Sequence, residues 1–556
     1  MTTLAAPQSL SIDDICQAFA QQLGTAFLGQ QRYSDYYLGI HITSEALPQA
    51  ANWLKTHPQL TCRFWTLFGI DYAVHQPHIS TGRFGVHSVF FLKEVQQCLS
   101  LHFTLDLPPD GQTPQYPALS PIFPAANWHE RELHDLFGIT PHGIDLPPLV
   151  LHRDWPRSGR GSTHAHHYPM RADFDNNTSI PIHEVPHQFN TPEGEGRHQV
   201  AVGPIHAGII EPGHLRFTVT GEKIHQFDAQ LFYTHKGLEK MAQGQTPAHT
   251  LVLAENTCGL CAFSHSLALA QAFESLAQIA VPDRAITLRA LLLEMERLAS
   301  HFSDLSAICS AGGFGFASVR AAHFREQLMQ WNQRLTGHRF LRGINQIGGL
   351  QRDIPESVLD DLCRALVQLQ GDFNDWTELT QHTDSFLDRV EDTGYLSLEN
   401  ALAHGLVGPA ARGSGVDDDM RRDLPVGVHR KLPVEVQTTT DGDAFGRFWV
   451  RVGEVRQSLH LAQTLIATCQ PGAFQIEVPK PLPGYQPTLG VVESAKGSLI
   501  HWVMLDDHHH VLRWHVRSAS YMNWRGVVMA TMGNNIVPDG PLVNKSFNLC
   551  YACTDR

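Results

Sequence analysis

Glu255-Asn-Thr-Cys-Gly-Leu-Cys-Ala-Phe-Ser-His265 and Ser546-Phe-Asn-Leu-Cys-Tyr-Ala-Cys-Thr-Asp-Arg556 are the stretches on which the reading of this chain turns. Each holds a Cys-x-x-Cys pair, Cys258 with Cys261 and Cys550 with Cys553, spaced so that both sulfurs of a pair can bind one metal. The first pair immediately precedes a helical pattern, whose positive N-terminal end favours thiolate over thiol. Four soft sulfurs suit zinc, an iron-sulfur cluster or nickel, and spacing alone does not choose among them. A structural zinc site and a thioredoxin-like redox pair are the alternatives on spacing. Zinc ribbons keep their pairs within tens of residues, whereas here most of a domain lies between them. The site therefore joins a helix start to the end of the chain and organises the domain around it.

Away from these stretches, 42% hydrophobic and 17% charged residues over 556 positions describe a globular chain of two or three domains. Basic residues number 41 against 55 acidic, a net charge of −14, which disfavours a nucleic-acid partner. No apolar run is long enough to cross a membrane and no leader pattern opens the chain, so it reads as cytoplasmic. Ten cysteines are too sparse for a disulfide scaffold, and Cys16, Cys62, Cys98, Cys309, Cys363 and Cys469 read as packed free thiols.

The fold class expected is α+β, in three parts: a small mixed α/β domain over 1–139, a connecting segment over 140–199, and a mainly helical domain with β-hairpins over 200–556. In the first part, helical patterns cover Ile12 to Leu23 and Ala46 to His57, with strand-like runs at Phe64 to Val74 and His87 to Leu92. Pro, Gly, His and Asp crowd Pro141 to Pro192 without periodicity. Strand-like Leu215 to Thr220 leads into helical patterns at Ser266 to Ala280, Ile286 to Ile308, Val319 to Thr336, Glu356 to Asp388 and Phe445 to Ala467. Leu499 to Leu505 and Val511 to Val516 flank the polar turn Asp506 to His510 as a hairpin. His508 to His510, and His164 with His166 and His167, read as solvated loop histidines.

The two cysteine stretches resemble the paired metal motifs of nickel-iron hydrogenase large subunits. Gly203-Pro-Ile-His206, Glu211-Pro-Gly-His-Leu-Arg216, His235-Lys-Gly-Leu-Glu239, Glu296-Arg-Leu-Ala-Ser-His301 and Gly408-Pro-Ala-Ala-Arg412 are similar to landmarks shared by those subunits and the 49-kDa subunit of respiratory complex I. The likeness covers about Val200 to Arg556. Glu130-Arg-Glu-Leu-His-Asp135, followed by Leu-Phe-Gly138, looks like the signature of the complex I 30-kDa subunit. Taken alone it reads as an exposed helix face with local ion pairs. The fusion of two such domains resembles the formate hydrogenlyase and hydrogenase-4 branch, whose members are membrane-associated and evolve hydrogen.

That resemblance implies nickel on all four cysteines. Cys261 and Cys553 would bridge to an iron carrying cyanide and carbon monoxide, with Cys258 and Cys550 as terminal ligands. It implies Cys550 as the proton-carrying sulfur, Glu211 as the first proton acceptor and Glu493 as a group supporting the cofactor, while His265, four residues after Cys261, reads either as a group tuning a bridging thiolate or as a satisfied structural histidine. Glu493-Ser-Ala-Lys-Gly497 matches a segment that usually carries an arginine above the metals, which makes Lys496 the corresponding cation. Asn256 stands where arginine is usual, and Asn548-Leu549 where Asp-Pro is usual. The end at Arg556 fits the form that remains after a C-terminal extension of the precursor is removed, and equally a gene that ends there. No further cysteine grouping could hold an iron-sulfur cluster. The implied partners are therefore a small subunit with a 4Fe-4S cluster, ferredoxin-like electron-transfer subunits, complex I-like membrane subunits on the inner face of the cell membrane, and a formate dehydrogenase. The alternative is a noncatalytic complex I-like subunit with a zinc-filled site.

Overall fold

The computed structural model describes residues 10–73, 82–108, 113–151, 155, 167–175, 177, 189, 194–206, 210–479 and 481–556. His164 and His166 lie outside them. The chain forms two compact units, Met1–His187 and Gln188–Arg556.

The first unit is built on a five-stranded sheet: β1 (Phe27–Ser34), β2 (Tyr37–Ile42), β3 (Cys62–Asp71), β4 (Phe84–Leu92) and β5 (Gln97–Leu105), in the order β1-β2-β5-β4-β3. Only β2 and β5 run parallel, so the chain must cross over between them, and α2 (Leu47–Thr56) with the β3–β4 hairpin forms that connection. α1 (Ile12–Leu23) starts on a Ser11–Asp14 capping box and buries Ile15, Phe19 and Leu23 at four-residue spacing in the unit's core.

The charged cluster of α3 (Asn127–Phe137) is not an exposed face. Glu130 and Asp135 are both buried. Glu130 accepts the Leu119 and Ser120 N–H groups at 2.6 and 3.1 Å, and Asp135 accepts those of Leu149 and Val150 at 2.8 and 2.9 Å. Carboxylates buried here satisfy loop backbone that would otherwise have no partner. α3 ends at Gly138 in the left-handed region (φ 66°), where a Cβ would come within 2.4 Å of the Tyr168 ring. Tyr168, Met170 and Arg171, drawn from the segment expected as a connector, are thus buried within the first unit.

In the second unit the Asp283–Ala311 helix is central. Its apolar stripe, Leu291, Leu292, Met295, Leu298, Phe302 and Leu305, is buried, but so are Arg289, Glu294, Glu296, Arg297, His301 and Asp304. The helix is enclosed on all sides, and its charges are paired with groups on other elements, as burial demands. The Gly315–Thr336 and Ala444–Thr468 helices pack against it. Where one helix is expected over Glu356 to Asp388, two form, Glu356–Gln381 and Asp384–Val390. At the break, Thr383 Oγ1 bonds the Leu379 carbonyl at 2.8 Å and His382 Nδ1 the Glu378 carbonyl at 2.8 Å, competing with the helical ladder.

The strands Thr488–Ser494, Gly497–Leu505 and Val511–Arg517 form an antiparallel sheet, buried along its length and seated on the Ala262–Leu276 helix. Gly490 permits that approach, since a Cβ there would lie 1.8 Å from the Ala268 carbonyl oxygen. A second antiparallel sheet pairs His214–Thr220 with both Arg197–Val202 and Lys223–Gln230. Together these elements hold the first cysteine loop against the end of the chain.

Candidate metal centre

Cys261 occupies the N-cap of the Ala262–Leu276 helix, with Cys258 in the loop before it. Cys550 caps the short Tyr551–Asp555 helix, its sulfur accepting the Cys553 N–H at 3.3 Å. Asn548, in the left-handed region at φ 44°, turns the chain out of the preceding helix and into this one. The Cys258 and Cys550 sulfurs lie 3.3 Å apart, and Cys261 and Cys553 complete the same buried cluster. Residues nearly three hundred positions apart therefore meet.

The segment from Phe232 to Glu239 clasps both motifs. The Lys236 ammonium donates to the Asn256 and Thr257 carbonyls at 3.0 Å each, bracing the first loop. The Lys236 N–H bonds the Arg556 carbonyl at 2.7 Å, and the Asp555 carboxylate accepts the Phe232 and Thr234 N–H groups at 3.0 and 2.9 Å. Arg556 pairs with Glu239 at 3.3 Å. Asn256 is exposed and bonds the Val252 carbonyl, so its departure from the usual arginine leaves the sulfurs untouched.

The four sulfurs share protons unequally. Side-chain hydrogen bonds from Cys261, Cys550 and Cys553 hold the Cys258 thiol well below its ordinary range, and their bonds to Cys258 push those three well above theirs. One thiolate held by three thiols is the donor set of a soft cation, whose charge would displace the remaining protons.

Glu296, from the central helix, caps the helix that Cys261 begins. It accepts the Phe263 N–H at 2.8 Å, the Ser264 N–H at 3.1 Å and the Ser264 hydroxyl. Burial pushes its carboxyl up to about 8 despite these donors. A raised acid keeps its proton in the folded chain after the unfolded chain has lost it. Its contribution to stability is thus complete below its ordinary 4.5 and falls as pH rises to about 8. Glu296→Gln is expected to remove a decline approaching about 1.4 kcal/mol per pH unit across that window, seen as a flatter dependence of unfolding free energy on pH. An unaltered slope would contradict the assignment.

Glu211 is half-buried, with Oε2 3.6 Å from the Cys550 sulfur and 2.9 Å from the Ala552 N–H. Lys496 sits in the turn between the first two strands of the buried sheet and is itself buried, ion-paired to Asp304. Asp304 also accepts Asn548 Nδ2 at 2.7 Å and Arg451 Nε at 2.9 Å. Burial raises the Asp304 carboxyl, but the Lys496 and Arg451 charges outweigh it and hold the group below its usual value. Asn548, where aspartate is usual, thus links Lys496 through Asp304 to the strand of chain entering Cys550. Glu493 bonds Arg412 at 3.0 Å and the Met420 N–H at 3.3 Å. Those contacts anchor the strand leading to Lys496, and burial, with Asp419 nearby, pushes the carboxyl up to about 7.

His265 lies 3.3 Å from the Cys553 sulfur through Nε2 and 2.9 Å from His501 Nε2 through Nδ1. Burial drives its pKa down to about 4. His501, Trp514, Asp304, Lys236 and Asp555 were not singled out from sequence. Of these, Asp304 carried a signal, a charge three residues after His301 within an apolar helix.

Residues 236–309 match the family described as nickel-dependent hydrogenase. Residues 314–487 and 480–556 match the 49-kDa subunit of respiratory-chain NADH dehydrogenase, and residues 40–179 its 30-kDa subunit. The chain is 33% identical to formate hydrogenlyase subunit 5 of Escherichia coli (strain K12) over 85% of its own length and 82% of the relative's. It is 30% identical to hydrogenase-4 component G of the same organism over 98% and 92%. A chain from the structure of the membrane-bound sulfane sulfur reductase, an archaeal respiratory membrane complex, superposes with a TM-score of 0.61 at 26% identity, covering 66% of this chain and 100% of that one. With 30-kDa and 49-kDa domains fused and the hydrogenase match across the first cysteine pair, the chain belongs to the family of membrane-bound hydrogenase large subunits that includes formate hydrogenlyase subunit 5 and hydrogenase-4 component G.

Proposed function

We propose that the chain is the catalytic large subunit of a nickel-iron hydrogenase, combining two protons and two electrons into hydrogen, reversibly. The observation that carries this is the buried meeting of Cys258, Cys261, Cys550 and Cys553 with the Glu211 carboxylate 3.6 Å from the Cys550 sulfur. Hydrogen is a very weak acid, so its formation or cleavage needs an electrophile and an adjacent base together. A nickel-iron pair, its iron carrying cyanide and carbon monoxide, supplies the electrophile when bound. The four sulfurs fit it because they are soft, lie together with three of them buried, and would give up their protons to a bound cation.

The chain's own residues then move the proton. Cys550 Sγ receives or releases it, Glu211 Oε2 exchanges it with that sulfur, and the half-buried position of Glu211 opens the route outward. Lys496 is paired to Asp304, which also accepts from Asn548 two residues before Cys550, and through that link would supply a fixed positive charge to the site. Electrons enter from a partner small subunit with a 4Fe-4S cluster, fed through ferredoxin-like subunits, with formate dehydrogenase as the donor. Among the described residues no helix is long and apolar enough to cross a membrane, so in this reading complex I-like membrane subunits hold the chain at the cytoplasmic face.

Exchange between hydrogen and deuterated water tests this without an electron donor. The purified complex should exchange, and its Cys550→Ser form should not. A complex that holds zinc alone and does not exchange would assign the chain to a noncatalytic role.

A further inference from the structure

Behind the sulfur cluster, three buried side chains form a line of hydrogen bonds whose direction is set from one end. Trp514 Nε1 lies 3.0 Å from His501 Nδ1, His501 Nε2 lies 2.9 Å from His265 Nδ1, and His265 Nε2 lies 3.3 Å from Cys553 Sγ. All three are fully buried, so no water reverses a link from outside.

An indole nitrogen is a donor only. His501 Nδ1 must therefore accept, which leaves the His501 proton on Nε2. His265 Nδ1 must accept that proton's hydrogen bond, which leaves the His265 proton on Nε2, pointing at Cys553. Neither ring can take a second proton without setting two N–H groups against each other. The line thus admits one tautomer of each histidine, and the tautomer is decided by the residue farthest from the sulfur.

We propose that Trp514 and His501 are positioning residues that lock His265 as a permanent donor to Cys553. The proposal rests on the hydrogenase reading above and deepens it. Cys553 faces an N–H that already occupies a sulfur lone pair and withdraws electron density. Cys550 Sγ accepts the Cys553 N–H at 3.3 Å and has, in addition, the Glu211 carboxylate 3.6 Å away. The two sulfurs of the second motif, three residues apart, thus differ in their side-chain neighbours, an imidazole N–H beside Cys553 and a carboxylate beside Cys550.

If the indole N–H is removed, His501 is free to hold its proton on Nδ1 and accept from His265. The His265 lone pair then faces the Cys553 sulfur, and the donor to that sulfur is lost. With a nickel-iron pair bound, a Cys553 sulfur without that donor would pass more electron density to the iron and weaken the bonds within its diatomic ligands.

The test is infrared spectroscopy of the purified complex with nickel and iron content measured alongside. Trp514→Phe and His501→Leu should each shift the carbon monoxide and cyanide bands to lower wavenumber. His501→Gln, whose amide N–H still donates to His265, should keep them near the native positions. Native bands in fully loaded Trp514→Phe would overturn the lock. Should that variant fail to take up metal, the His501→Leu and His501→Gln pair decides: equal bands in the two overturn it, and a shift in the first alone supports it. A native complex without such bands would overturn the hydrogenase reading and this proposal together.

Discussion

Glu211→Gln is expected to leave nickel and iron content unchanged and to slow hydrogen exchange by about 100-fold or more, the usual contribution of a positioned proton-transfer group. The amide has nearly the same size, and its oxygen still accepts the Ala552 N–H that the native carboxylate accepts at 2.9 Å. Folding and metal uptake should therefore survive. What the amide cannot do is take the proton from Cys550 Sγ, 3.6 Å away, and pass it on. Glu211→Asp, which keeps the acid but retracts it by one methylene, should lie between the two. Native turnover in a fully loaded Glu211→Gln protein would remove Glu211 from the proton route.

Lys496→Met is expected to have the second largest effect, and on two properties at once. Lys496 and Asp304 are both buried, and removing one member of such a pair typically costs about 3 kcal/mol or more because the other charge is left behind. Arg451 and Asn548 remain on Asp304, which should let the protein fold and take up metal. Hydrogen turnover should nevertheless fall to a small fraction, since the fixed charge is lost. Lys496→Arg restores the charge and should recover part of the turnover. A fully active Met variant would show that Lys496 takes no part.

Elements were legible where one periodicity runs uninterrupted. Ile12–Leu23 and the Asp283–Ala311 helix follow their apolar spacing closely, and the hairpin around Asp506 to His510 forms as its polar turn indicates. The meeting of the cysteine pairs was legible because four thiolates have one economical use, a shared cation. Burial of charge was not legible. Glu130 and Asp135 look like surface residues because the backbone N–H groups they satisfy, at Leu119 and Leu149, belong to loops with no signal of their own. The line behind Cys553 was equally hidden. His501 and Trp514 are neighbours only through the strand register that pairs His501 with Val516 and Val503 with Trp514, a diagonal contact that no local pattern announces. The break at His382 escaped notice because apolar spacing continues across it while the side chains beside it compete for the helix carbonyls.

The function of this chain is decided by what the four cysteines hold. Infrared spectra of the native complex, recorded with its nickel and iron measured on the same sample, test this most directly. The prediction is nickel and iron in equal amounts at this site, with carbon monoxide and cyanide stretching bands that vanish together when Cys258 or Cys553 is replaced by serine. Zinc in place of both metals, with no such bands, would contradict it.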